Sequence, residues 1–436
     1  MISQKAYDKK TKKLVKELND SFQFLINNPH SSFYKNKYKK AGVKLKTIKS
    51  IKDFESLPFL TKDEILNINP YEFVFVPLKT VDNIGVTSGT TNQKNPLILL
   101  MNTYGRGKKH YDLERWTPFV KAGVKANLLL YPGSISSTYR RLFNYGATKK
   151  GIINVIGDTS NFPLTALLAK RLVVDSIESI PTVLYNFIPY LKKEYDLSKI
   201  KLVFLSGEYT SEQKYSYLQK IFKNAKFYFN LGSIETSSVA MGCDYLIKRG
   251  PRFLHPYDFL YLEVLGKAGE GELVVTDLKS WKVPLLLRYK TGTQVKLVDE
   301  PCPCGEKRTL EVFGRIGFDF INVQGSSIYA EHIYNLLSHF SKSLASTEFK
   351  LHVYELIKND KLMTRLILQI IPNTNIQNKS LLRDNIKEEI ENKLFLTAKN
   401  TLKDLVDKQI FMPLEIEFVD KFPDSPKQVN IISHIV

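Results

Sequence analysis

Hydrophobic and polar positions alternate at helical spacing in the first part of the chain. A helix is predicted over residues 7–28, and a second over SSFYKNKYKKAG, which ends at Gly42 because glycine readily adopts the conformation that follows a helix. Thr61, followed by Asp63 and Glu64, has the pattern of a helix start. The apolar face of the first helix comprises Leu14, Leu18, Phe22 and Leu25. The chain therefore opens with helices.

Between residues 125 and 205, short apolar runs alternate with helical patterns. The predicted strands are 127–131, 152–156, 182–184 and 202–205, and the predicted helices are 163–170 and 187–192. This alternation predicts βαβ units in a doubly wound sheet, and hence the α/β fold class. Ligands of such sheets bind at the carboxyl ends of the strands.

The pattern changes in the rest of the chain. Short strands on either side of KAGEGE, within residues 259–275, predict a β-rich subdomain. Beyond it, helices and strands alternate over about a hundred residues, as in a small α+β domain. The predicted elements there are a helix over 330–340, strands near 349–355 and 364–371, a charged helix over 380–394 and a last strand over 414–419.

The composition is that of a large globular protein. With 436 residues, of which 43% are hydrophobic, the chain is expected to form two or three domains. No apolar run approaches the roughly eighteen residues of a membrane span, and the N-terminus lacks the apolar segment of a signal peptide, so the expected location is the cytoplasm. Three cysteines do not make a disulfide framework, and they indicate free thiols or a metal site.

The formal net charge of +19 is concentrated at the N-terminus, where the first fifty residues hold thirteen lysines and three acids. Nucleic acid, an acidic carrier protein or simple solubility would each account for such an excess. Lysine exceeds arginine there and few aromatic residues accompany it, which is typical of solvated helix faces. The charge alone therefore does not predict nucleic-acid binding.

Residues 85–96, GVTSGTTNQKNP, have the composition of a phosphate-binding loop. Gly89 allows successive N–H groups to point inward, and Lys94 adds a positive charge. Hydroxyl donors come from Thr87, Ser88, Thr90 and Thr91. A flexible Ser/Thr/Gly loop is the alternative, and the residue order is not that of a P-loop, which requires Gly-Lys-Ser/Thr at the start of a helix.

TSGTT resembles the phosphate loop of the adenylate-forming superfamily, T/S-S-G-T-T-G-x-P, with Asn92 in place of the last glycine. The opening pattern, A-G-V followed by D-F-x-x-L-P-x-x-T-K-D, resembles that of the phenylacetate-CoA ligases. The likeness covers nearly the whole chain, with its motifs in the same order. It implies an ATP- and acid-binding adenylation domain over residues 1–313 and a small mobile C-terminal domain over residues 314–436.

Further motifs carry the same resemblance. Gly207-Glu208 resembles the G-x-E segment beside adenine, although an ordinary strand-to-helix turn is the alternative there. FNLGSIET resembles Y-G-x-T/S-E, whose glutamate holds Mg²⁺ and corresponds to Glu235. Taken alone, such an acid is more often a helix cap or a solvated side chain than a metal ligand. RYKTGT resembles R-Y-R-T-G-D, with Thr293 in place of the ribose-binding aspartate. The resemblance assigns nucleotide contacts to Asn230, Leu231, Gly232, Ser233, Thr293 and Arg315.

The C-terminal region carries two more motifs. FGRIGFDF resembles the superfamily hinge, with Gly314 and Arg315 matched and Asp319 as the hinge acid. FPDSPKQVN resembles the closing P-x-x-x-x-G-K segment, in which Lys427 falls at the catalytic lysine; a solvated lysine is the alternative. The resemblance thus assigns catalytic roles to Lys427, Glu235 and Thr91.

The cysteines and one histidine form a candidate zinc site. Eleven residues separate Cys243 from His255, and Cys302 and Cys304 form a knuckle, so the four could meet as a Cys₃His tetrahedron. Phenylacetate-CoA ligase relatives carry a similar set in the same order. Four protein ligands leave no open position, so the zinc would be structural. The alternative is a buried Cys243 and a surface His255 without metal.

The resemblance implies that a carboxylate attacks the α-phosphate of ATP, giving an acyl-adenylate and pyrophosphate, and that the acyl group then passes to a thiol, most simply that of CoA. ATP, Mg²⁺, structural zinc and CoA are the implied cofactors, and a small carboxylic acid is the substrate. An acyl-carrier protein or an amine as acceptor, and assembly into a homodimer, stay open. So does a different class, a zinc-stabilised nucleic-acid-binding protein on a degenerate ligase fold. Candidates for an aromatic acid pocket are Tyr139, Phe143 and Tyr145.

Overall fold

The computed structural model describes most of the chain. The described residues are 4–44, 46–86, 96–102, 115–131, 146–208, 210, 212–278, 285–316, 319–324, 326–358, 361–397, 399–422 and 429–434.

The chain begins with helices, as the sequence predicts. They are α1 (Gln4–Ile26), α2 (Phe33–Lys40), α3 (Ile51–Glu55) and α4 (Lys62–Leu66). The predicted start of α4 is a capping box, because the Thr61 hydroxyl accepts from the Glu64 N–H and the Glu64 carboxylate accepts from the Thr61 N–H. Short 3₁₀ turns follow at Pro70–Phe73 and Leu78–Thr80. An antiparallel hairpin of β1 (Asn83–Val86) and β2 (Ile98–Met101) comes next.

Eleven strands of the described residues form one sheet, and five neighbouring strands in it are parallel. The five are β3 (Ala126–Leu130), β4 (Ile153–Ile156), β5 (Ser176–Ser179), β6 (Leu202–Ser206) and β7 (Lys226–Ser233). Their order across the sheet is β4-β3-β5-β6-β7. Helices α5 (Thr117–Lys121), α6 (Phe162–Arg171), α7 (Pro181–Glu194) and α8 (Glu212–Ile221) accompany these strands. The predicted βαβ arrangement is confirmed.

The prediction of a strand over 182–184 is wrong. These residues belong to α7, and the strand precedes them as β5. Pro181 occupies the first turn of α7, where its missing N–H costs no hydrogen bond. The apolar run is the start of a buried helix face with helical spacing, which consists of Val183, Leu184, Phe187, Ile188 and Leu191.

The predicted β-rich region is confirmed, and it continues the same sheet by antiparallel pairing beyond β7. Its strands are β8 (Ser237–Met241), β9 (Phe253–Pro256), β10 (Leu260–Lys267), β11 (Glu270–Asp277), β12 (Tyr289–Asp299) and β13 (Arg308–Arg315). Their order from β7 is β8-β9-β13-β12-β11-β10. The two-residue β10–β11 turn places Ala268 and Gly269 at positive φ, as a type I′ hairpin turn requires.

The C-terminal region forms a second sheet with helices beside it. It begins with a hairpin of β14 (Phe320–Val323) and β15 (Ser326–Tyr329). There follow α9 (Ala330–Ser338), β16 (Leu344–Lys358), β17 (Lys361–Pro372), α10 (Lys379–Lys393), α11 (Leu402–Asp407), β18 (Glu415–Phe418) and β19 (Ile431–Ser433). The four-stranded sheet has the order β18-β17-β16-β19. The predicted elements are confirmed, and the strand predicted over 414–419 is β18. The sequence did not predict the β14–β15 hairpin, α11 or the last strand, β19.

The described residues form three apolar cores. One lies around the large sheet, one joins the N-terminal helices to the β1–β2 hairpin, and one is made only of residues 321–431. Among the described residues, no helix combines the length and apolar character needed to cross a membrane.

Candidate active site

The β1–β2 hairpin carries the base of the predicted phosphate loop. Val86 pairs with Ile98, the last pair before the loop. A Cβ on Gly85 would lie 2.6 Å from Cγ2 of Ile234, so only glycine allows this approach. The base of the loop therefore packs against the turn that contains Glu235. The predicted loop residues Thr87, Ser88, Gly89, Thr90, Thr91 and Lys94 lie outside the described residues.

Glu235 lies in the tight turn between β7 and β8 and is only 5% exposed. The Tyr289 hydroxyl donates to Oε1 of Glu235 at 3.3 Å, and Nζ of Lys62 lies 3.9 Å from the same oxygen. Burial, and then the charge of Glu235, raises the pKa of Tyr289 well above its usual value. The tyrosine therefore stays protonated and remains a donor to the carboxylate.

Lys62 and Tyr289 are site residues that the sequence analysis did not assign. Backbone hydrogen bonds hold them together: the Lys290 N–H donates to the Leu60 carbonyl and the Leu60 N–H donates to the Arg288 carbonyl, both at 2.9 Å. The signal was present in the sequence, since both residues stand inside quoted motifs, T-K-D and R-Y-K-T-G-T. What the sequence could not give was the pairing of these two distant segments.

The carboxyl ends of β6 and β7 bring the predicted adenine-side residues together. Ser206 pairs with Asn230, so Gly207 and Glu208 lie beside Leu231, Gly232 and Ser233 at one edge. Gly207 has a φ of 83°, which favours glycine in this turn. These are the positions at which parallel sheets bind ligands.

Asn230 offers a test of whether adenine fits this edge. Its Oδ1 is buried, and within the described part of the chain no donor reaches it. A buried acceptor without a partner costs about 1–3 kcal/mol. The exocyclic amine of adenine is a donor that would satisfy this oxygen, and the half-buried Leu231 beside it offers an apolar surface to a ring. The residues present therefore fit the base.

Thr293 and Arg315 face each other on β12 and β13. Thr293 is nearly buried, and its N–H donates to Oγ1 of Thr291 at 3.2 Å. The Arg315 N–H donates to Oδ2 of Asp319, also at 3.2 Å. The structure thus places Thr293, the predicted ribose-binding residue, next to the hinge motif. Its hydroxyl can form one uncharged hydrogen bond with a sugar.

A buried ion pair under the carboxyl ends of β3 and β5 was not predicted. Arg115 bonds to Glu178, and the Tyr131 hydroxyl donates to Oε1 of Glu178 at 3.2 Å. The Tyr131 hydroxyl also lies 2.8 Å from Oγ of Ser206, next to Gly207. Burial raises the pKa of Glu178, and the Arg115 charge opposes that shift. The signal in the sequence is an acid within the buried strand SIES.

The structure does not describe the candidates for an aromatic acid pocket or the candidate catalytic lysine. Tyr139, Phe143, Tyr145 and Lys427 all lie outside the described residues.

The structure brings the four candidate zinc ligands together, with their ligand atoms all within 4.8 Å of one another. Sγ of Cys243 lies 3.5 Å from Nε2 of His255 and 3.7 Å from Sγ of Cys302, and Sγ of Cys304 lies 3.3 Å from Nε2 of His255. A tetrahedral Cys₃His site with ordinary bond lengths has ligand–ligand edges of about 3.5–3.8 Å. The cluster therefore has the dimensions of a zinc site.

The surroundings of the cluster also fit a metal. Nδ1 of His255 lies 2.7 Å from the Arg308 carbonyl, to which it donates, so Nε2 is the nitrogen left for a metal. Burial and the neighbouring sulfurs raise the pKa of Cys304 to about 12, so a bound cation would have to displace the proton. With four protein ligands the site would be closed.

Comparisons with known proteins agree with this arrangement. No family model matches the chain. The phenylacetate-coenzyme A ligase of Pseudomonas putida is 22% identical over 348 residues, which cover 74% of this chain and 74% of that protein. The phenylacetate-coenzyme A ligase of Escherichia coli K12 is 22% identical over 329 residues, which cover 69% of this chain and 70% of that protein.

Among solved structures, a 2-hydroxyisobutyryl-CoA ligase in its postadenylation state superimposes with a TM-score of 0.72 at 16% identity, over 98% of this chain and 90% of that one. An amide bond synthetase from Marinactinospora thermotolerans gives a TM-score of 0.54 at 13% identity, over 82% of this chain and 68% of that one. These structures share the fold. In sequence, and in the order of its motifs, the chain is similar to the phenylacetate-coenzyme A ligases of the adenylate-forming superfamily.

Proposed function

We propose that the chain is an AMP-forming ligase that activates a carboxylic acid with ATP, releases pyrophosphate and transfers the acyl group to CoA. The observation that carries this proposal is the meeting of three distant segments around Glu235: the base of the β1–β2 hairpin, the β7–β8 turn and the start of β12. These are the segments whose motifs resemble the nucleotide-binding motifs of the family. The similarity of the chain to two phenylacetate-coenzyme A ligases supports the proposed activity.

The barrier to adenylation is largely electrostatic, because a carboxylate must approach the charged α-phosphate. Lys62 offers a positive charge beside Glu235, and Tyr289 holds one oxygen of that carboxylate by a hydrogen bond. Donors fixed before the reaction stabilise developing charge without reorganising during it. Mg²⁺ bound by Glu235 would supply further neutralisation of the phosphates.

Nucleotide binding is proposed for the edge formed by β6, β7 and β12. Asn230 would accept from the adenine amine, Gly207, Glu208, Leu231, Gly232 and Ser233 would border the base, and Thr293 with Arg315 would border the ribose. Thr87, Ser88, Gly89, Thr90 and Lys94 would bind phosphate, with Thr91 and Lys427 in catalytic roles; these last assignments rest on the motif resemblance alone.

A structural zinc is proposed at Cys243, His255, Cys302 and Cys304, on the distances and the histidine hydrogen bond described above. It would take no part in the reaction because it has no open position. We place the enzyme in the cytoplasm, where cysteines stay reduced.

The alternative acceptor is an amine or an acyl-carrier protein. The fold is shared by an amide bond synthetase as well as by CoA ligases, so the fold does not decide the second half-reaction. A strongly basic N-terminal segment would suit an acidic carrier.

Pyrophosphate release upon incubation with ATP, Mg²⁺ and a panel of aryl and short-chain acids tests the proposed activity. Acid-dependent release is expected, followed by a thioester when CoA is added. An amide formed from an added amine, with no thioester, would favour the alternative acceptor. The absence of acid-dependent pyrophosphate release across the whole panel would overturn the proposed function.

A further inference from the structure

Asn430 is a buried polar residue whose amide group is engaged at both ends. Its Nδ2 donates to Oδ1 of Asp319 at 2.6 Å, and its Oδ1 accepts from the Tyr334 hydroxyl at 2.7 Å. Only 4% of the residue is exposed. The side chain thus links the start of β19 to a residue more than a hundred positions earlier in the chain.

Asp319 closes the turn between β13 and β14. Its N–H donates to the Arg315 carbonyl at 2.9 Å, and its Oδ2 accepts from the Arg315 N–H. Gly314, with a φ of 108°, makes room for it, because a Cβ there would lie 2.5 Å from Cβ of Asp319. The carboxyl group is therefore fixed within the turn that resembles the family hinge, and Asn430 joins it to the start of β19.

The side chain of Asn430 is not needed to hold β19 in its sheet. The backbone already does so: the Leu351 N–H donates to the Asn430 carbonyl at 2.8 Å, and the His434 N–H donates to the Val353 carbonyl at 2.8 Å. Leu351 also pairs with Ile431 in parallel register. The amide can therefore serve a purpose other than strand pairing.

Lys427 precedes Asn430 by three residues, so the two Cα atoms are separated by at most about 11 Å whatever path the chain takes. The contacts that fix the position of Asn430 therefore limit the distance at which Lys427 can act. Lys350 adds a second anchor by bonding to the Val429 carbonyl.

We propose that Asn430 is a positioning residue for adenylation, which sets the Lys427 segment relative to the Asp319 turn through the Asn430–Asp319 hydrogen bond. The proposal rests on the proposed function. A bond between an amide and a buried carboxyl group has strict geometry, and rotation of the C-terminal domain about the Asp319 turn would change that geometry. The bond therefore belongs to one arrangement of the turn and β19, the arrangement in this structure.

The test measures both half-reactions separately in the full-length protein. Asn430→Leu keeps the branched outline and the number of heavy atoms of the side chain and removes both hydrogen bonds. We expect adenylation, followed as ATP–pyrophosphate exchange, to lose about ten- to hundredfold in kcat with little change in the KM for ATP. Thioester formation from a synthetic acyl-adenylate should stay within about twofold. Tyr334→Phe is the matched control: it removes only the donor to Oδ1, and adenylation should stay within about threefold.

Rescue separates positioning from general destabilisation. In the double variant Asp319→Asn/Asn430→Asp, the amide and the carboxyl group exchange places, and the amide oxygen introduced at position 319 can still accept from the Arg315 N–H. The rate of ATP–pyrophosphate exchange in this double variant should therefore be higher than in Asn430→Leu. Unchanged exchange in Asn430→Leu, or equal loss in both half-reactions without rescue, overturns the proposal. Failure of the proposed function is distinct, because the unmodified protein would then show no acid-dependent exchange.

Discussion

Glu235 combines burial with a charge, which a protein rarely tolerates without partners. Its carboxylate is removed from water, while Tyr289 donates to it and Lys62 lies near it. A single carboxylate at a strand end suffices for a hard cation that takes most of its other ligands from phosphates and water. The arrangement therefore suits a metal–nucleotide complex.

Glu235→Gln should lower pyrophosphate release by about a hundredfold or more, because an amide keeps the shape of the side chain but loses the charge that we propose binds Mg²⁺. The rate at saturating ATP and Mg²⁺ is the measurement. The fold should be unchanged, as read by circular dichroism.

Glu263→Gln is the matched control for this change. Glu263 is also a largely buried carboxylate, but its partner is Arg288, at 2.6 Å, and burial raises its pKa. Loss of the Glu263 charge should lower the unfolding temperature, while the rate of pyrophosphate release per folded molecule should stay unchanged. Equal pyrophosphate release in Glu235→Gln and the unmodified protein would remove Glu235 from the site.

At the scale of elements, the candidate zinc ligands lie where four strands of the large sheet end or begin. Cys243 follows β8, His255 lies in β9, and Cys302 and Cys304 lie between β12 and β13. The ligands come from segments far apart in sequence and meet only in the folded chain, so the free energy of metal binding would add to the stability of the fold. Removal of the metal should therefore act on stability first.

Purified protein should contain about one zinc per chain, and Cys304→Ser should lower both the zinc content and the unfolding temperature. Adenylation per folded molecule should be preserved, because the cluster has no open position for substrate. Elemental analysis and thermal unfolding, with and without a chelator, provide the measurements. A fully folded chain of unchanged stability and without zinc would refute the assignment.

Elements with long periodic patterns could be predicted from the sequence, and short or composite ones could not. The capping box at Thr61 was visible because its residues are local. The run 182–184 was too short to distinguish a strand from the first turn of α7, and the three residues of β19 carry no pattern of their own. The Arg115–Glu178 pair depends on tertiary contact, and so does the approach of Lys62 to Glu235.

The whole molecule contains an apolar core made only of residues 321–431, and polar contacts join that region to the rest of the chain. The Glu212 N–H at the start of α8 donates to Oε1 of Glu331 at 3.2 Å, and Nζ of Lys214 lies 3.6 Å from Oε1 of Glu348. The Tyr329 hydroxyl donates to Oε1 of Glu270 at 2.9 Å. Polar contacts of this kind exchange with water more easily than packed apolar surface does, which is compatible with the proposed rotation of this region between two half-reactions.

Lys427→Ala tests that rotation. If the C-terminal domain brings this lysine to the α-phosphate and carboxylate only for adenylation, the variant loses a charge that acts in one transition state, and the rate should fall by about 10²–10³ with little change in substrate KM. Acyl transfer from a synthetic acyl-adenylate to CoA should survive, because the domain has turned away by then.

Lys421→Ala is the control: this lysine also precedes β19 in the sequence, and its replacement should leave the rates of both half-reactions unchanged. Equal loss in both half-reactions would assign Lys427 a structural role, and no loss in either would mean that the segment with Pro426 in place of the family's glycine does not deliver the lysine to the site.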